Sequence, residues 1–157
     1  MKKTIIALLL CITVVSVLGC DLNAINAIYS DDAKLAGNAD SSASKLYSSK
    51  SVGNDFSLSA TMTGSKKVWD YNASADTDVT ISYLLSVSSG GKAKLVLITP
   101  DSEVIIIIEN TDNTTATEMQ SQTLALKKGN NRIKIVGYES PKISLKLHIE
   151  TGRFHSS

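Results

Sequence analysis

From Phe56 onward, apolar residues fall on every second position, and that period leaves few folds open. Ile143, Leu145, Leu147 and Ile149 alternate with Ser144, Lys146, His148 and Glu150. This is the signature of a strand with one buried face and one wet face. Val79–Val87 and Phe56–Met62 repeat it, with Ser and Thr at nearly every intervening position. Shorter apolar runs occupy 68–71, 92–99, 104–108, 121–126 and 132–136. Gly64-Ser65, Ser89-Gly90-Gly91, Pro100-Asp101-Ser102 and Lys127–Asn131 punctuate them with turn-forming residues. About eight short strands without a convincing helical stretch predict an all-β domain over 55–157, a single antiparallel β-sandwich. Its expected core is Leu58, Val79, Ile81, Leu95, Leu97, Ile106, Leu124, Leu126, Ile133, Ile135, Leu145 and Leu147.

The chain begins differently. Lys2 and Lys3 precede an almost uncharged apolar run to Leu18, which is short for a spanning helix of about 20 residues. Gly19 and Cys20 end it. Val17-Leu18-Gly19-Cys20 resembles the lipobox of bacterial lipoproteins, with Leu18 bulkier than the usual occupant. The resemblance implies cleavage between Gly19 and Cys20, a diacylglyceryl group on the Cys20 thiol and further acylation such as palmitate. Two or more acyl chains make such an anchor stable. The expectation is a signal peptide over 1–19 and a lipid-anchored protein on the extracytoplasmic face of the cell membrane. Asp21 resembles an inner-membrane retention signal if the cell has two membranes.

Residues 20–54 are rich in Ser, Ala, Asn, Asp and Lys, as in Asp40–Ser44 and Ser48–Ser51. Such a segment buries too little apolar surface to offset its ordering entropy, which predicts a flexible tether with a reach of about 30–35 Å. Leu22, Ile25, Ile28 and Tyr29 recur at helical spacing within it. A transient helix is the simpler expectation, and a turn docked on the membrane or the domain is the alternative.

The run Leu124-Ala-Leu-Lys-Lys-Gly129-Asn-Asn-Arg-Ile133-Lys-Ile135 resembles the hairpin of galactose-binding-like jelly-rolls. That similarity implies a jelly-roll-like sandwich of the kind that serves as a carbohydrate-binding or accessory module. The arrangement as a whole is similar to small bacterial lipoproteins with no established activity.

Charge and cysteine content exclude several classes. The formal net charge is +1 and becomes −1 once Lys2 and Lys3 are removed, which argues against nucleic acid as a partner. Of the two cysteines, Cys11 belongs to the signal and Cys20 to the anchor, so disulfides, thiolate metal sites and thiol catalysis are not expected. His148 and His155 lie outside any hydrolase or zinc motif, and neither a catalytic set nor a cofactor is expected. Asp76-Thr77-Asp78, near Asp70, has the alternating oxygens of a calcium loop. It reads more simply as a turn, and no metal is assigned.

Two surfaces remain. Trp69 and Tyr71 share one side of a short strand beside Asn72, a candidate sugar platform. In Val104–Ile108, Ile105 and Ile107 face away from the core if Val104, Ile106 and Ile108 face into it. That second face needs cover, from the chain's own N-terminal segment (Leu22, Ile25, Ile28) or from a partner. The function expected is a non-enzymatic, membrane-anchored binding or interaction module for an envelope protein. The alternative is a carbohydrate-binding module for cell-wall or external glycan.

Overall fold

The structure, a computed structural model, describes residues 22–112 and 114–156. Val17, Leu18, Gly19, Cys20 and Asp21 lie outside the described residues. Two short helices, α1 (Leu22–Ala27) and α2 (Asp32–Ala36), flank a 3-10 turn at Ile28–Ser30. Nine strands follow among the described residues: β1 (Ser41–Val52), β2 (Asp55–Ala73), β3 (Thr77–Ser89), β4 (Lys92–Ile98), β5 (Val104–Thr111), β6 (Gln120–Leu126), β7 (Gly129–Tyr138), β8 (Lys142–Ile149) and β9 (Arg153–Phe154).

The sandwich is one antiparallel sheet bent double along β2. Its order is β5-β4-β7-β2-β8-β3-β6, with β1 and β9 also paired to β2. The first half of β2 (Asp55–Thr61) pairs with β8, and the second half (Gly64–Ala73) pairs with β7. Past that fork the sheet splits into two layers, β1-β2-β8-β3-β6 and β9-β2-β7-β4-β5. With β1 and β9 set aside and β2 counted as two strands, eight strands divide between two sheets in jelly-roll order. Gly64-Ser65, expected to end a strand, is where this continuous strand turns the corner. Gly64 has φ +92°, and a Cβ there would meet the Ser41 carbonyl and Ile25. A register shift between Lys67 and Trp69 adds a second bend.

The alternation in the sequence fills the space between the layers. Leu58, Ile81, Leu85, Leu95, Leu97, Ile133, Ile135 and Leu145 are all buried there. The expected core holds except at Val79, which is partly buried at its edge, and at Ile106, which is half exposed (50 %). A bulge is the cause. Leu95 pairs with Ile108 and Val96 with Ile106, so Ile107 is an extra residue on β5 and reverses the alternation. Ile105 and Ile107 therefore pack into the core between the layers. They form no second face, and the interaction surface expected of them is withdrawn.

The outward side of that layer is nonetheless apolar, and the chain covers it. Ile28, Tyr29 and Leu35 are buried against Val96, Ile98 and Val136, with Ile25 and Val104 packed alongside. Leu22, the third expected cover, is exposed (57 %). Residues 22–52, read from composition as a flexible tether, are thus a docked strap followed by an edge strand. β1 pairs along its length with β2, from Ser41 opposite Ser65 to Val52 opposite Asp55. Composition misleads here because the apolar residues are few but fall on one side. The backbone supplies the rest, through the ladder and through two buried cations. Lys134 Nζ donates to the carbonyls of Gly37 (2.7 Å) and Ala39 (3.1 Å). Arg132 donates to the carbonyls of Ala36 (2.8 Å) and Gly37 (3.2 Å) and to Asn38 Oδ1 (2.5 Å). These carbonyls lie at and just beyond the C-terminal end of α2, where cations are favoured. Burial pushes both cations below their ordinary pKa values.

Candidate functional site

The two outer faces of the sandwich differ in chemistry. One is apolar and closed by the strap; the other is polar and open. The open face belongs to β1-β2-β8-β3-β6, and antiparallel register assembles it in rows. Ser48, Ser59, Ser144 and Ser86 lie opposite one another across four strands. The next row is Lys50, Ser57, Lys146 and Leu84, and the one after it Val52, Asp55, His148, Ser82 and Ser121. Strands about 4.8 Å apart and side chains about 7 Å apart along a strand make this a regular grid.

Part of the grid is internally satisfied. His148 Nδ1 lies 2.9 Å from Asp55 Oδ1. Ser82 Oγ pairs with Ser121 Oγ at 2.8 Å and is thereby turned from the imidazole beside it. Asp55, His148 and Ser82 therefore share a row without the hydrogen-bond relay that activates a nucleophile. Ser86 Oγ accepts from Ala116 N at 3.0 Å, tying down the loop after β5. The hydroxyls of Ser48, Ser57, Ser59 and Ser144 have no partner among the described residues, and all four residues are exposed.

Three shallow hollows lie on this face, and two of them adjoin. One of about 390 Å³ is bordered by Lys50, Val52, Asp55, Ser57, Met119 and Lys146. A second of about 200 Å³ shares Lys50, Ser57 and Lys146 and adds Ser48, Ser59 and Ser144. A third, about 450 Å³, is separate and is bordered by His148, Ser82, Thr80, Asp78 and Glu150. Alternation alone assigns the polar half of each strand to plain solvent exposure, so this face is not singled out by period two. The available signal was the preponderance of Ser and Lys over mixed charge at those positions.

The expected platform is not at the surface as drawn. Trp69 is fully buried, its indole N–H donating to the Thr151 carbonyl at 2.8 Å. The bulge beside it puts both Val68 and Trp69 inside, and Gly152 lies so close that a Cβ there would overlap the indole. Tyr71 is half-buried against it, ring centroids 6.1 Å apart. Tyr71 and exposed Asn72 do border a shallow hollow of about 420 Å³ with Asp70, Asn130 and Arg153, but without the indole. Asp70 pins the chain's end: His155 Nε2 lies at 3.1 Å, Lys67 Nζ at 3.4 Å and Arg153 at 3.5 Å. Burial pushes the Asp70 carboxyl up, and His155 and Lys67 outweigh it, leaving the group below its ordinary value. Asp76 accepts from the Lys128 backbone N–H at 2.8 Å, the work of a turn. No cluster of three metal-ligating side chains occurs among the described residues.

No family model matches the chain, and no curated protein does. Among solved structures it is similar to CBM4 (12 % identity, TM-score 0.40, covering 75 % of this chain and 81 % of that one). It is also similar to a family 29 carbohydrate-binding module (10 %, TM-score 0.38, 72 % and 77 %). A third is a family 61 module in complex with β-1,4-galactotriose (14 %, TM-score 0.36, 66 % and 68 %). At that distance the fold assignment rests on the strand pairing itself.

Proposed function

We propose that this protein is a non-enzymatic binding module, held at the extracytoplasmic face of the cell membrane by lipid on Cys20, whose open face engages glycan. The observation that carries the reading is the set of unpaired hydroxyls of Ser48, Ser57, Ser59 and Ser144 on adjacent strands. Each can both donate and accept, as sugar hydroxyls do. Rigid strands hold them at fixed spacing, which lowers the ordering cost of binding an extended ligand. The protein-partner reading has lost its support, because Ile105 and Ile107 are internal.

The test is a screen of immobilised glycans with the full chain in neutral detergent, beside Ser59→Tyr/Ser144→Tyr. Two phenol rings on exposed, centrally placed positions obstruct the grid without entering the core. Binding that disappears in the double variant is expected; binding retained at full strength sinks the assignment to this face. Anchoring has its own test. Cys20→Ser should abolish lipid labelling and processing at that position, and a variant still cut after Gly19 and still membrane-bound would overturn it.

A further inference from the structure

The lysines of the open face lack the counter-charges that a solvated sheet surface usually carries. Lys50 and Lys146 lie directly opposite Ser57 on its two sides, so their Cα atoms are about 10 Å apart. Lys142 stands on the same face of β8, opposite Thr61 and Ser89. The cross-strand neighbours of all three are Ser, Thr or Leu, where a carboxylate is the stabilising choice. Among the described residues none of the three has an acidic partner, and the one carboxylate in the adjoining row, Asp55, is held by His148. Edge protection accounts for Lys50, which is on β1. It does not account for Lys142 and Lys146, because β8 is flanked on both sides by β2 and β3. The carboxylates of this face, Asp55, Asp78 and Glu150, lie in the His148 row and around the hollow beyond it, so positive charge is concentrated locally in the row of Lys50, Ser57 and Lys146 and at Lys142.

We infer that the ligand of this face is an acidic glycan, a hydroxyl-rich chain with an anionic group seated over Ser57 between the Lys50 and Lys146 ammonium groups. This deepens the glycan reading and rests on it. The long side chains reach inward from two sides, and the Ser57 hydroxyl donates from below. Ser59, Ser48 and Ser144 then receive the neighbouring hydroxyls of the same chain. Lysine recognises charge without the planar geometry an arginine would impose, so carboxylate and phosphate are both accommodated.

Calorimetry of the full chain in neutral detergent decides it, with polygalacturonate, poly(glycerol phosphate) and a neutral galactan of matched length. The expected result is that at least one acidic polymer binds about tenfold tighter than the galactan. That advantage should collapse as salt rises from about 0.1 to about 1 M, which shortens the Debye length from about 10 to about 3 Å. Lys50→Gln/Lys146→Gln should bring the acidic polymer's affinity down to that of the galactan, whereas Lys128→Gln, on a distant turn, should leave the acidic advantage intact. Which acidic polymer responds tells carboxylate from phosphate. Equal binding of all three, or an acidic preference that survives the double variant, overturns the inference and leaves the glycan reading in place. No binding to any of them overturns both.

Discussion

Leu35→Ala separates a docked strap from a tether. Leu35 is fully buried (0 % exposed) in a cluster with Val96, Ile98 and Val136, against the outer side of β4 and β7. Removing a buried leucine side chain costs its transfer free energy plus the cavity left behind, about 2–5 kcal/mol in well-packed sites. The strap is short and has water on its other side, so it can partly collapse onto the gap. The expected loss is therefore near the lower end, about 2–3 kcal/mol, or roughly 6–12 °C in Tm for a domain of this size. Trp69, the chain's only tryptophan, is buried in the main core on the far side of the same layer. Urea unfolding followed by its fluorescence thus reports whether strap and sandwich melt together. A shift below about 0.5 kcal/mol would place the strap outside the cooperative unit and restore the spacer reading.

Other expectations follow from the same contacts. Trp69→Ala should destabilise by about 3–5 kcal/mol, measured by thermal unfolding, because it empties a core site and strands the Thr151 carbonyl. Gly64→Ala should be costly despite its single added methyl, since φ is +92° and the Cβ meets the Ser41 carbonyl; proteolysis within Ser41–Val52 should quicken markedly as β1 loosens. Asp70 has a folded pKa below its ordinary 3.8, so its stabilisation is present above that value and is lost as pH falls through the folded one. Acid unfolding of Asp70→Asn should accordingly show a shallower dependence below about pH 4 and lower stability at neutral pH than the native chain; identical acid profiles would count against the Asp70 cluster.

Much of the sandwich was legible because burial writes itself into a strand with period two. The eight runs from Phe56 to Ile149 correspond to the eight jelly-roll strands, including the two halves of β2 on either side of Gly64. What stayed hidden depends on partners distant in the chain. The β5 bulge is set by pairing with β4, and a run of four isoleucines carries no mark of which one is extra. Trp69 looks like a surface aromatic by alternation from Tyr71, until the bulge and Gly152 place it inside. Lys134 and Arg132 read as solvent-facing residues of an alternating strand. They are buried because the carbonyls that receive them come from residues more than ninety positions earlier. The hydroxyl grid is complete only when four registers, β1–β2, β2–β8, β8–β3 and β3–β6, are known.

The strap also changes what the anchor would do. A tether of the expected length would let the sandwich range about 30–35 Å from the bilayer. With α1 beginning at Leu22, only Asp21 would separate the lipid proposed on Cys20 from docked structure, and two residues of chain span at most about 7 Å. α1 packs near Gly64, with Asn26 accepting from the Glu139 backbone N–H at 3.0 Å, so the anchor would leave from the β2 bend and the β7–β8 turn. Lipid on Cys20, as proposed, would then hold that end of the sandwich against the headgroups. The strands of the open face run from that end outward, Lys142 nearest the bend and His148 farthest along β8. A spin label at residue 142 should therefore be reached by a headgroup-bound relaxation agent far more readily than one at residue 76, in the turn at the opposite end. Equal accessibility of the two would mean that the domain does not stand on its anchor in this way.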